Sequence, residues 1–273
     1  MGAMNEKLRD RERWEATQRS LWGRRPEDWS ELAEPQNVQL LADALEAAGV
    51  IEGVAVLDIG CGSGLALAMA AARGARAAGL DISAPLVAVA RRRVPDADLR
   101  EGGLDELPFP DGTFDVVLAV NALQFAADPA AALAEVRRVL RPGGRLAIGQ
   151  FAAPEKCEST ALHLAMESLV PAGHRQDHAP YALAAPGALE QALAAAGLAV
   201  TLDREQPGDW RYADLERALR GLLSSAGGAR AVGLAGEERV RAVLTEGLQR
   251  FRADDGTFVM HNWFHLIVAE RVP

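Results

Sequence analysis

Two cysteines in 273 residues, Cys61 and Cys157, are too few for a disulfide framework and lack metal-ligand spacing, so a reducing, cytoplasmic setting is the simplest expectation. Long apolar runs are also lacking: none approaches the ~20 residues that a bilayer crossing needs, and no signal sequence is recognised. Positive charge is in deficit, with 29 Lys and Arg against 38 Asp and Glu, a formal net charge of −9. That excess of acid argues against a nucleic-acid partner, whose phosphates must be met by Lys and Arg. The local run Arg91-Arg92-Arg93 reads as a solvated helix end, where basic charge suits the dipole. Aromatics make up only 5% of the chain and give no evident flat-ring cage for a ligand. The five histidines show no pair at helical ligand spacing with carboxylates on the same face, so no metal is expected. What is plentiful is apolar content, 49%, enough for the core of one compact enzyme, monomer or homodimer. Met1-Gly2-Ala3-Met4 reads as an extraneous leader ahead of a native Met4 and is left out of the fold reasoning.

The most telling stretch is Val56-Leu57-Asp58-Ile59-Gly60-Cys61-Gly62-Ser63-Gly64. The apolar run from Val54 to Ile59 predicts a buried parallel strand, and the alanine-rich segment after Gly64 predicts a helix. Gly60, Gly62 and Gly64 then occupy the strand-to-helix turn, where absent Cβ atoms let a ligand approach the backbone and the helix start offers free N–H groups. Three glycines so spaced read as a nucleotide-cofactor site. A dinucleotide fingerprint would require glycine at position 65, which is Leu65. Asp58, two residues before the first glycine, would repel a pyrophosphate but can hold a cationic amino group. Cys61 supplies the small side chain that such a turn needs; a nucleophilic role is the minor alternative.

These residues resemble the first motif of the class I S-adenosylmethionine-dependent methyltransferases, and the resemblance implies that Asp58 and the glycines border the methionine end of the cofactor. A parallel sheet should bring the end of its second strand beside this turn, and Arg76 to Leu80 lead into Asp81-Ile82-Ser83. A carboxylate at Asp81 can accept both ribose hydroxyls; the competing role is an N-cap for the helix near Ala84, which Ser83 could fill equally well. The segment from Glu101 to Phe114 looks like the family's adenine-side loop. Family members often carry aspartate directly after the first glycine there, whereas this chain has Gly103. Leu104 could pack on adenine, and either Asp105 substitutes as acceptor or packing carries the base. Asn121 and Gln124, after the strand from Phe114 to Val120, are implied to face the cofactor and its methyl group.

Residues 51–151 alternate strand and helix five times, and the resemblance implies a doubly wound, Rossmann-like seven-stranded α/β sheet, mostly parallel with an antiparallel last strand. Asp128 followed by Pro129 predicts a helix start. Further elements are expected as a helix at 187–196, a strand at 198–204 and a final strand at 257–270 beside it. Residues 1–50 are expected as a helical arm or lid on a methyltransferase domain at 51–273, with acceptor-site insertions at 152–186 and 206–256. Trp14, Trp22 and Trp29 either cover the site or anchor the arm. The last insertion reads as helices at 212–225 and 237–251 joined by a small-residue stretch at 226–235. His174 and His178, beside Asp177 and Tyr181, fall where the family commonly lines its acceptor site; an exposed polar loop is the plainer reading.

The implied activity is methyl transfer from S-adenosyl-L-methionine, by in-line displacement, to an O, N or C atom of a small-molecule acceptor, with no catalytic base singled out. Two other readings stay open. Gly103 suits a non-catalytic S-adenosylmethionine-binding protein, and an NAD-linked oxidoreductase is disfavoured by Leu65 and Asp58.

Overall fold

The computed structural model describes residues 2–172 and 187–272. The chain opens with helix α1 (Gly2–Trp22), the short α2 (Pro26–Asp28), a π turn at Trp29–Ala33 and a 3₁₀ turn at Glu34–Asn37, then α3 (Val38–Ala47). Strands and helices then alternate as β1 (Ala55–Ile59), α4 (Leu65–Ala71), β2 (Arg76–Asp81), α5 (Ala84–Arg93), β3 (Asp98–Glu101), β4 (Phe114–Val120), α6 (Pro129–Val139) and β5 (Leu140–Phe151). After α7 (Thr160–Ser168) come α8 (Ala188–Ala195), β6 (Leu198–Pro207), β7 (Trp210–Tyr212), α9 (Leu215–Leu223), α10 (Ala226–Ala235), α11 (Glu237–Leu248), β8 (Phe258–Met260) and β9 (Trp263–Arg271).

Seven strands form one sheet in the order β3-β2-β1-β4-β5-β9-β6. The first five pair in parallel, and β9 enters antiparallel between β5 and β6. The expected sheet and its antiparallel last strand are therefore present. Chain order reverses between β1 and β4, which opens a crevice at their carboxyl ends. Alternation along each strand divides the core: Val116 and Leu118 of β4 join the cluster with α3 and α4, while Val117 and Ala119 join the cluster under α6 and α8. Asp128 caps α6 by accepting from the N–H groups of Ala130 and Ala131, as the Asp-Pro pair predicts.

Two expectations need correcting. The final strand is not continuous from Thr257: Phe258–Met260 pairs instead with Trp210–Tyr212 in a separate two-stranded sheet, and β9 starts at Trp263. The small-residue stretch at 226–235 is itself the helix α10, capped by Ser225 Oγ accepting from Gly228 N. Its glycines allow close packing, since a Cβ on Gly228 would lie 2.6 Å from the Leu222 carbonyl oxygen. No helix among the described residues is long and apolar enough to cross a membrane.

Candidate active site

The glycine turn is fastened to the second strand before any ligand is considered. Gly60 N and Cys61 N both donate to the Leu80 carbonyl, at 2.7 and 3.0 Å, so the ends of β1 and β2 are tied together. Gly60 has φ +73°, and a Cβ there would stand 2.7 Å from Ala122 Cβ. Gly60→Ala combines left-handed strain with that overlap. It is expected to cost about 2–3 kcal/mol, read as a lower urea midpoint at unchanged slope. Gly64 serves packing, because its Cβ would meet Ala90 of α5 at 3.0 Å, and it does not line the crevice. A ligand is thus one of two reasons for the three glycines; helix and loop packing is the other.

Asp81 sits 7% exposed at the end of β2. Its Oδ2 accepts from Gly62 N and its Oδ1 from Ser83 N, both at 2.8 Å. Ser83 Oγ takes the capping role for α5, which leaves the Asp81 carboxylate directed to the turn. Burial pushes its carboxyl up to about 6, with the Ser83 and Gly62 N–H groups pulling the other way. Asp58, 4% exposed in β1, is raised well above the usual carboxylate range by burial and then by the charges of Glu34 and Asp81. Glu34 is a third buried carboxylate, from the 3₁₀ turn before α3; it accepts from Ser63 N at 3.0 Å, from Ser63 Oγ and from Arg93. Arg93 neutralises Glu34, whereas Asp58 and Asp81 have no ion-pair partner among the described residues. The crevice is therefore electrostatically prepared for a cation.

Two adjoining cavities open here. The first encloses about 1000 Å³ and is lined by Asp58, Gly60, Cys61 and Gly62 from the turn, Asp81 and Ile82 from the end of β2, Gly103 and Leu104 from the loop after β3, and Asn121 after β4. Nine of the eleven residues singled out in the sequence thus meet in one cavity; Gly64 and Gln124 do not. Gln124, 4% exposed, lines the second cavity instead. That second space, about 1580 Å³, is walled by Phe151, Met166, Trp210, Tyr212 and Leu222 and has Trp22, Trp29, Asn37, Asn121 and Phe125 in common with the first. Asn121 has φ +51°, and its Nδ2 donates to Asn37 Oδ1 at 3.3 Å while its own Oδ1 is buried without a partner. An asparagine tolerates this left-handed backbone better than other side chains, and here it presents a free acceptor where the two cavities meet.

Other sequence candidates separate clearly. Burial raises the Cys61 thiol well above its ordinary range, and the nearby carboxylates add to this, so Cys61 is a neutral lining group. His163 lines the second cavity, edge-on to Phe151 and Trp210, and burial lowers it to about 4, so its imidazole is neutral near pH 7. His261 and His265 pair with Asp209 and Asp203, and neither lines either of these two cavities. His265 of β9, Asp203 of β6 and Glu190 of α8 bring ligand atoms within 4.8 Å of one another, a grouping that spacing along the chain did not reveal. His174, Asp177, His178 and Tyr181 lie outside the described residues.

The residues missed from the sequence come mostly from the arm. Glu15 and Gln18 of α1, with Glu34 and Asn37, line the first cavity beside the three tryptophans already singled out, Trp14, Trp22 and Trp29. The spacing 14, 18, 22 on one helical face was the available signal; Glu34 and Asn37, in an irregular turn, gave none. Trp14 Nε1 donates to the Phe125 carbonyl at 2.9 Å, so the tryptophans both anchor the arm and wall the cavity.

Residues 57–148 match the family described as the methyltransferase domain. The chain is 37% identical over 110 residues to the demethylmenaquinone methyltransferase of Renibacterium salmoninarum, covering 40% of this chain and 46% of that one. It is 42% identical over 106 residues to the 27-O-demethylrifamycin SV methyltransferase of Amycolatopsis mediterranei, covering 36% and 39%. The matches therefore span less than half the length of these relatives. A geranyl diphosphate methyltransferase solved in complex with SAM superposes with a TM-score of 0.52 at 19% identity, covering 86% of this chain and 85% of that one, a likeness of fold.

Proposed function

We propose that this chain is a class I S-adenosylmethionine-dependent methyltransferase, the reading that the match of residues 57–148 to the methyltransferase domain supports, and that it methylates a small, largely apolar acceptor held in the second cavity. The observation that carries this reading is the junction at Asn121, where a crevice suited to a cationic nucleoside opens into a larger apolar chamber. The residues fit S-adenosylmethionine. Asp58 is a buried carboxylate for its ammonium group, Asp81 has acceptor capacity left for its ribose hydroxyls, and Ile82 and Leu104 flank the nucleobase end. Asn121 Oδ1, buried and unpartnered, faces the methyl-bearing end. Bound there, the cofactor supplies an electrophilic methyl group open to in-line attack by an acceptor O, N or C atom.

The chain's own part is positioning. Trp22, Trp29 and Phe125 wall the junction and exclude water, and holding two reactants at near-attack distance removes ~7–11 kcal/mol of barrier in favourable cases. The buried, unpartnered Nδ1 of His163 and Nε1 of Trp210 offer an acceptor and a donor to a polar group on the substrate. The names of the two curated relatives, which cite demethylmenaquinone and 27-O-demethylrifamycin SV, support a small organic acceptor over a macromolecule. The arm at 1–50 acts as a cover over the cofactor in this reading.

The test is calorimetric titration with S-adenosylmethionine, S-adenosylhomocysteine and NAD, with tryptophan emission followed in parallel. Micromolar binding of the first two, with an emission change from Trp14, Trp22 and Trp29, is expected. Methyl transfer is then sought by mass spectrometry on a panel of apolar phenols, alcohols and amines. Binding of NAD alone would overturn the cofactor, and cofactor binding with no turnover across the panel would favour a non-catalytic binding protein.

A further inference from the structure

The loop that should read the nucleobase has no side chain at Gly103, and the structure shows what stands there instead. A Cβ built on Gly103 would lie 2.5 Å from Glu15 Oε1 and 2.9 Å from Glu15 Cδ, so the carboxylate of an α1 residue fills the space that a side chain at 103 would enter. One turn further along the same helix, Gln18 lines the same cavity, 2% exposed, with both its Oε1 and its Nε2 buried and without partners. Leaving a whole buried amide unsatisfied is costly, and a ligand edge carrying one donor and one acceptor would relieve that cost. Helix α1 is fixed over this end of the crevice. Arg11 donates to Glu106 at 3.1 Å and to Glu15 at 2.9 Å, Trp14 to the Phe125 carbonyl at 2.9 Å, and Arg19 to the Ile82 carbonyl at 3.3 Å. The last of these ties α1, one residue beyond Gln18, to the residue that follows Asp81.

We propose that α1, and not the loop after β3, reads the adenine edge of the cofactor: Gln18 pairs its amide with the exocyclic amino group and a neighbouring ring nitrogen, and Glu15 supplies the acceptor missing at position 103. An amide of Gln or Asn matches the adjacent donor and acceptor of adenine in this bidentate way. Glycine at 103 and glutamate at 15 are then complementary, since any side chain on the loop would displace the carboxylate. Nucleobase selectivity accordingly resides outside the segment 57–148 that carries the family likeness.

This inference rests on the cofactor reading above, so its test must separate the two. Affinity is measured by calorimetry for S-adenosylhomocysteine and for its 6-oxo analogue S-inosylhomocysteine, in wild type, E15Q/Q18L, D105N and D81A, each checked for an unaltered fold by near-UV circular dichroism. Wild type is expected to prefer the amino compound by about 10–100-fold, the range of one good bidentate contact. E15Q/Q18L should lose most of that affinity for S-adenosylhomocysteine and bind the two compounds within about 3-fold of each other. D81A should weaken both compounds equally, because it acts on the ribose. Asp105 is the rival, since its Oδ2 accepts from Asp128 N at 3.1 Å while its Oδ1 is buried, unpartnered and in the same cavity. Preference retained in E15Q/Q18L, or lost only in D105N, would overturn the role of α1. No binding of S-adenosylhomocysteine to wild type would instead overturn the cofactor reading itself.

Discussion

Replacing Asp81 with Ala is expected to lower affinity for S-adenosylmethionine about 100- to 1000-fold while leaving the protein folded. The magnitude follows from the bonds removed. Two hydroxyl donors to one ionised carboxylate are each worth ~1.5–3 kcal/mol, and 1.4 kcal/mol is a factor of ten in binding. Resolvation of the cavity returns part of that sum, which keeps the expectation near three to four kcal/mol. The fold survives because β2 is held by parallel ladders on both sides, and because burial disfavours the charged form of Asp81. Calorimetric titration of D81A checks this; affinity within threefold of wild type would remove Asp81 from the cofactor pose.

The same carboxylate gives binding a pH dependence whose sign can be worked out. Burial holds the Asp81 carboxyl at about 6, above its ordinary 3.8, so between these values the native protein holds a proton that the unfolded chain has lost. Stability from this group is full below about pH 4 and is lost as pH rises through about 6. Asp58 is shifted the same way. Cofactor binding needs the ionised carboxylate and therefore runs opposite, weakening as pH falls through about 6. The melting-temperature increase caused by S-adenosylmethionine is accordingly larger at pH 8 than at pH 5, at equal ligand concentration. An increase independent of pH would show that neither carboxylate changes charge on binding.

Why some of the site was readable and some was not follows from how locally each residue's role is set. Asp58, Gly60 and Gly62 lie in one strand and its turn, so their positions follow from the chain direction alone; Asp81 follows from the rule that parallel strands end side by side. The seven-stranded sheet was legible for the same reason, as its first five strands alternate with helices of clear period. Gln124 lies in a 3₁₀ turn at Leu123–Phe125 and lines the second cavity, a placement that the strand-then-loop pattern of the sequence does not encode. The break before Trp263 was hidden because β propensity runs on through Phe258, although that segment has its own partner in Trp210–Tyr212. Glu15 and Glu34 were invisible because their neighbours are 88 and 29 residues away in sequence, at Gly103 and Ser63, and no local pattern encodes a contact made by docking.

Glu34 carries the second large effect. Its carboxylate joins the arm to the glycine turn: it accepts from Ser63 N and Ser63 Oγ at the start of α4 and pairs with Arg93 at the end of α5. Arg93 in turn donates to the Ser63 carbonyl at 2.9 Å and to Ser30 Oγ at 2.6 Å. Removing one member of a buried pair strands the other and typically costs ~3–5 kcal/mol; Arg93 keeps its serine contacts and is a quarter exposed, which brings the expectation for Glu34→Ala down to about 2–4 kcal/mol. For a chain of this size that is a drop of about 5–12 °C in melting temperature. Glu34→Gln, which keeps an acceptor for Ser63 N, should recover roughly half. The double variant with Arg93→Met should melt well above the sum of the two single losses, because the second substitution removes the charge that the first left unpaired. Strict additivity of the two, or a melting temperature for Glu34→Ala within 2 °C of wild type, would mean that the pair forms no clasp. If the clasp holds, removing the Glu34 charge also lowers the Asp58 carboxyl toward its ordinary range. Cofactor affinity in Glu34→Ala should then fall off at a lower pH than in wild type, a displacement that a purely structural lesion would not produce.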